Sequence, residues 1–322
     1  TEIPKDAIIA GVIDVGIPLG HTRWRFADGK TRLLAAWQMA GRWDLKRQPK
    51  VPFGCEFYEA EINRLLERHG GGSLGGRLDE HGFALATGTL NLTTELRQVD
   101  VARRASHGAH VMDAVAGAEP ESDFAKRVRI IAVNAPSSAE FGTSGTFLDA
   151  YMLHAIQRIV DIADGIWRKK RAKDPTSVPE GGYPIVINLS FGKQAGAKDE
   201  MDRFASELAR FVCNRKAVQT RPGPHDCAWS RVDFVMPSGN DNLTRCNAFL
   251  EPSALAGPQD LPWRILPEDR SSNFAEIWVS EDWDPKSNIR IGVSRPGANL
   301  SVPRPRGPPA ATCYADLRRG VA

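Results

Sequence analysis

The chain has 322 residues, 42% of them hydrophobic, enough for a sizeable core in one large domain or in a domain with a smaller one. Its 42 basic and 39 acidic residues nearly cancel to a net charge of +3, which removes the electrostatic argument for a nucleic-acid partner. No apolar run approaches the roughly 18 residues needed to span a bilayer and no n-region/h-region pattern opens the chain, so no membrane partner is expected.

Residues 7–13 form a short, nearly continuous apolar run that ends in Asp14-Val15-Gly16. Such a run reads as a buried central strand with a carboxylate at its C-terminal end, the edge where open α/β sheets place their ligands. The simpler alternative for Asp14 is an aspartate that starts a turn before Gly16. Residues 20–52 mix Trp24, Arg25, Phe26, Trp37, Arg42 and Trp43 without a sustained period, and read as a surface excursion with no assigned element. Residues 56–68 carry Phe57, Ile62, Leu65 and Leu66 among charges, an amphipathic helix stopped by Gly70-Gly71-Gly72. The glycine and serine run to Gly76 reads as a mobile loop, since no strand precedes it and no helix-opening lysine follows. No GxGxxG follows the first strand and no GxxxxGK[ST] occurs, so a nucleotide phosphate site is not supported.

After an extended segment over 90–101 comes the stretch 104–117, in which Ser106, His107, Gly108, Ala109 and His110 run directly into a small-residue apolar helix. A histidine at the mouth of a buried helix is held from behind and open in front, as a general base requires. The simpler reading is a capped helix with two surface histidines. An acidic loop then leads to a strand at 128–133. Gly142-Thr143-Ser144 precedes a long helix over 147–167, and Lys169, Lys170 and Arg171 near its end complement the helix dipole. A third strand within 184–192 ends in Ser190-Phe191-Gly192, a helix follows at 201–212, and a fourth strand at 232–237 delivers Ser238-Gly239-Asn240. Strands alternating with helices describe an α/β fold with a doubly wound parallel sheet. From about residue 250 prolines punctuate the chain, and the alternating segments 273–279 and 288–293 read as strands of a partial all-β unit.

Five scattered cysteines, Cys55, Cys213, Cys227, Cys246 and Cys313, include no CxxC pair. That spacing suits reduced thiols, so a cytoplasmic location is expected. Cys213, Cys227 and Cys246 with His225 are the remaining metal alternative, without the tight ligand pairs that structural zinc sites usually show.

Four segments carry a resemblance. Those around Asp14, His107, Ser190-Phe191-Gly192 and Ser238-Gly239-Asn240 resemble, in the same order and over residues 7–245, the corresponding segments of the subtilisin-like serine peptidases. The resemblance implies a serine-type endopeptidase acting on a peptide or protein substrate through an Asp/His/Ser triad. His107 would be the general base and Asp14 its orienting carboxylate. The Asn240 amide would be an oxyanion donor, and Ser190, Phe191 and Gly192 would bind an extended peptide through their backbone. His110 is expected to be structural. No cofactor is implied, and structural calcium is the remaining alternative.

Val15, Ala109 and Met112-Asp113 depart from the family pattern, and the Gly-Thr-Ser segment expected after the asparagine is missing. Some large bacterial members carry a β-sandwich inserted before that serine, and residues 272–278 look similar to such an insert. The expected organisation is therefore an incomplete peptidase domain at 1–250 and part of an insert at 251–322, with the nucleophile beyond residue 322. Ser144 is the competing nucleophile, with helix N-capping as its non-catalytic role. A serine-less homologue that binds peptides is the alternative function, and an unrelated α/β ligand binder the third.

Overall fold

The computed structural model describes residues 2–42, 50–92, 98–103, 106–137, 146–192, 202–219, 231–239, 246, 248–250, 260–265, 267–268 and 275–278, with backbone alone at 103, 146–147 and 214–219. Among the described residues, strand β1 (Ile8–Asp14) is central to a sheet of six strands in the order β3-β2-β4-β1-β5-β6. Its neighbours β4 (Val128–Asn134) and β5 (Ile185–Leu189) are both parallel to it, and β6 (Val232–Val235) is parallel to β5. The fold is α/β, with a mixed and mostly parallel sheet.

The apolar runs become strands because they are buried on both faces. In β1, Ile9 and Ile13 enter one core layer while Ala10 and Val12 enter the other. The first layer is closed by α5 (Thr146–Lys173), through Met152, Ile156, Ile159 and Val160. The second is closed by α1 (Glu59–His69), α2 (Glu80–Ala86) and α3 (His107–Ala116), through Ile62, Leu66, Phe83, Met112 and Ala116. By this alternation Asp14 falls on the face that α3 covers. Gly11 lets α5 approach β1, since a Cβ there would meet the Ile159 side chain at 3.0 Å.

Three differences from the sequence reading concern the first hundred residues. The supposed surface excursion contains β2 (Leu33–Gln38), a fully buried strand parallel to β4. The amphipathic segment divides at Glu59: residues before it form β3 (Cys55–Tyr58), antiparallel to β2, and the helix begins afterwards. Arg158 of α5 secures this edge strand with bonds of 2.6 and 2.8 Å to the Glu56 carboxylate. The extended segment over 90–101 is reduced, among the described residues, to one bridge between Asn91 and Gln98. The acidic loop before β4 also contains a short helix, α4 (Asp123–Arg127). The long helix continues to Lys173, where Asp174 turns outward to cap Thr176 beside Pro175. Helix α6 (Arg203–Gln219) likewise outlasts its expected span. Lys170 donates to the Ile3 carbonyl at 2.6 Å and pins the chain's first residues, a contact beyond the dipole role read from its position.

The opposite, amino-terminal edge of the sheet holds two buried cations. Arg32, just before β2, is fully buried and donates to the carbonyl oxygens of Ala116 (2.7 Å), Arg23 (3.2 Å) and Val128 (3.4 Å). Burial, with the nearby Arg129 charge, pulls its pKa down to about 10. Arg129 donates to Lys126 and Glu2 carbonyls at 2.9 Å each and stacks over Phe26.

The chain divides into a unit at Thr1–Phe274 and another at Ala275–Ala322. Of the second, residues 275–278 are described and have no regular structure. The remainder of the two expected C-terminal strands lies outside the described residues. No helix among the described residues is long and apolar enough to cross a membrane.

Candidate active site

The chain leaves β1 toward β2 and later leaves β4 toward β5, so strand order reverses at the β4–β1 pair. That reversal opens the crevice in which α/β sheets hold ligands, and Asp14 and Asn134 are the paired strand ends at its floor. Asp14 is fully buried. Its Oδ1 accepts the Val15 N–H at 2.8 Å and lies 2.7 Å from Nδ1 of His107.

His107 is delivered by the first turn of α3. Gly108 N–H donates to the Val15 carbonyl at 2.9 Å, and a Cβ at Gly108 would lie 2.3 Å from that same oxygen. Only glycine lets the helix begin this close to the end of β1. Ser106, at the N-cap position, turns its hydroxyl away from the helix and donates to the Gly16 carbonyl. Gly16 has φ +69°, and a Cβ there would collide with Ser106 and Asp100, so the turn after Asp14 also requires glycine. With Nδ1 bonded, the His107 side chain is still 55% exposed, which leaves its Nε2 edge open to the cleft.

The two members of the pair differ in environment. Burial pushes the Asp14 carboxyl above its ordinary value. The His107 hydrogen bond and charge and the Val15 N–H oppose that rise, and the neighbouring Asp100 charge adds to it. Val15, which stands where the resembled family has a hydroxyl residue, faces the apolar core, and Asp14 Oδ2 is buried without a hydrogen-bond partner among the described residues. In its ionised form the carboxylate only accepts, so the bonded Nδ1 then carries the proton and Nε2 is the basic nitrogen. This arrangement is suited to taking a proton from a hydroxyl in the cleft. The other departures are accommodated: Met112 is fully buried in the core layer under α3, and Asp113 pairs with Arg23.

Ser190, Phe191 and Gly192 follow β5 at the same edge, next to the end of β1. The Ser190 hydroxyl accepts from Asn188 Nδ2 at 2.8 Å, Phe191 packs partly against the core, and Gly192 is exposed. β6 directs the chain to Gly239 at that edge, but Asn240 itself lies outside the described residues, as do Ser144, His225, Cys227 and Cys313. His110 is exposed. Cys55 is buried, and Cys213 and Cys246 are exposed. Among the described residues no group of three His, Cys, Asp or Glu side chains is arranged to hold a metal ion.

Two residues at the site have no counterpart in the sequence reading. Asn134 and Gln98, both buried, bond to the backbone of the turn that follows Asp14. Asn134 carries one signal, a polar residue closing an apolar strand. Gln98 carries none.

Comparison with protein-family models gives no match, and comparison with curated proteins gives none either. Among solved structures, the chain has a similarity to the CspB protease of Clostridium perfringens, with a TM-score of 0.35 and 16% sequence identity. The alignment covers 65% of this chain and 34% of that one, so the chain spans about a third of that protein's length.

Proposed function

We propose that this chain carries the aspartate and histidine of a serine-type endopeptidase of the subtilisin-like kind. The observation that carries the reading is the 2.7 Å contact between His107 Nδ1 and Asp14 Oδ1, made by a fully buried carboxylate and an exposed imidazole at the carboxyl edge of a parallel sheet. In the proposed reaction His107 Nε2 takes the proton of a serine hydroxyl as that oxygen attacks the peptide carbonyl. It then returns the proton to the leaving amine, while Asp14 holds the imidazolium. The Asn240 amide is the proposed donor to the oxyanion, and the backbone of Ser190, Phe191 and Gly192 the proposed bed for an extended peptide. The reaction needs no cofactor. The scattered cysteines, without a CxxC pair, support a reducing, cytoplasmic setting.

The nucleophile is proposed to lie in chain beyond residue 322. Three described serines near this edge have their hydroxyls engaged elsewhere: Ser106 with Gly16, Ser137 with Asp100, and Ser190 with Asn188. The same observation favours a second reading, a serine-less homologue that binds peptides in this cleft. Fluorophosphonate labelling of the full gene product separates the two. The peptidase reading expects labelling at a serine outside residues 1–322, abolished by His107→Ala. Labelling of Ser144 would refute that placement of the nucleophile, and peptide binding without any labelling would establish the serine-less reading.

A further inference from the structure

The geometry of the Asp14 and His107 pair depends on a short irregular turn. Asp14 ends β1, residues 15–17 lead the chain away, and α3 hangs on that turn through Gly108 N–H to the Val15 carbonyl and the Ser106 hydroxyl to the Gly16 carbonyl. A shift of the turn backbone therefore moves the imidazole and the carboxylate relative to one another. The β1–β4 ladder ends at Asp14 and Asn134, and past that point a side chain takes over from the strand.

Asn134 is 1% exposed. Its Oδ1 accepts the Ile17 N–H at 2.6 Å and its Nδ2 donates to the Ile17 carbonyl at 3.1 Å. A primary amide offers a donor and an acceptor side by side, as a peptide group does, so this one side chain satisfies both polar groups of Ile17. The Asn134 backbone carbonyl meanwhile accepts the Met39 N–H at 3.0 Å, anchoring the residue to the chain beyond β2. Gln98, fully buried and with its amide turned to suit its neighbours, closes the turn from the other side. It accepts the Gly16 N–H and donates to the Ala135 carbonyl, each at 3.3 Å. The two amides clamp the turn between them, and neither bonds through its side chain to Asp14 or His107 among the described hydrogen bonds; Asn134 is itself the ladder partner of Asp14.

We infer that Asn134 is a positioning residue for the Asp14 and His107 pair, acting through the backbone of Ile17 on the turn that carries both. The inference rests on the reading of that pair as the acid–base machinery. Its test needs no activity, because the hydrogen-bonded Nδ1 proton of His107 gives its own downfield signal in histidine-15N-labelled protein. Asn134→Leu keeps the branched outline, with somewhat bulkier ends, and removes both bonds. The signal is expected to vanish, or its solvent exchange to accelerate about tenfold, the factor that corresponds to one ordinary hydrogen bond. Should the leucine variant not fold, Asn134→Ser removes the same clamp with a smaller side chain and is expected to give the same loss. Leu66→Ala, which weakens the core under α1, is expected to lower the unfolding midpoint and leave the signal in place. An unchanged His107 signal in a folded Asn134 variant, or an equal loss in Leu66→Ala, would overturn the positioning role. Absence of the signal from the unsubstituted protein would instead overturn the pair itself.

Discussion

At the amino-terminal edge of the sheet Arg32 and Arg129 are buried on backbone carbonyl oxygens, whereas at the carboxyl edge Asp14 is buried against an exposed imidazole. One helix serves both edges. The last residue of α3, Ala116, offers its carbonyl to Arg32, and the first, His107, meets Asp14, so the negative end of the helix faces the cation and the positive end the anion. The difference lies in what answers each charge. Carbonyl dipoles are fixed and do not titrate, so the arginine edge is structural. An imidazole has two ring nitrogens that can give or take a proton, so the aspartate edge is able to do proton chemistry.

Breaking the arginine edge has the larger effect on stability. Arg32→Met retains much of the volume but strips the buried carbonyls of Ala116, Arg23 and Val128 of a donor, and is expected to cost about 3 kcal/mol or more by denaturant unfolding. Its pKa of about 10 keeps Arg32 charged throughout the acid and neutral range, so that cost should not vary between about pH 4 and pH 7.

The aspartate edge sharpens the comparison with the opposite sign. Because burial raises the Asp14 pKa, its ionised form opposes folding, and the penalty grows as pH rises from the ordinary carboxylate range through the raised folded value. Asp14→Asn removes that penalty and is expected to raise the Tm near pH 7. The gain should shrink as the pH is lowered towards about 4, and the variant should lose proton-transfer function while becoming more stable. Thermal unfolding of the two proteins across that range checks the sign.

What the sequence makes legible follows the same physics. β1, β4 and β5 are continuous apolar runs because both their faces are covered, and they are found at their expected places. β2 is as apolar, but Trp24, Arg25 and Trp37 around it hide the run, and it is their burial in the core, invisible to periodicity, that makes it a strand. β3 is four residues long and shares its alternation with the helix that follows, so neither its existence nor its antiparallel direction is readable locally. In the site, Asp14 and His107 stand out because each sits where an apolar element meets a polar turn. Asn134 shares that placement but not a readable role, and Gln98 has neither, since both act through bonds to the backbone of a distant turn, a relation that residue type does not encode.

The central claim is that Asp14 holds the His107 proton on Nδ1 and leaves Nε2 as the base. The 15N spectrum of His107 at neutral pH tests it directly. For the neutral form of the ring the account predicts Nδ1 protonated and Nε2 bare, and a redistribution of that proton in Asp14→Ala. A proton found on Nε2, or a tautomer unchanged when Asp14 is removed, would contradict it.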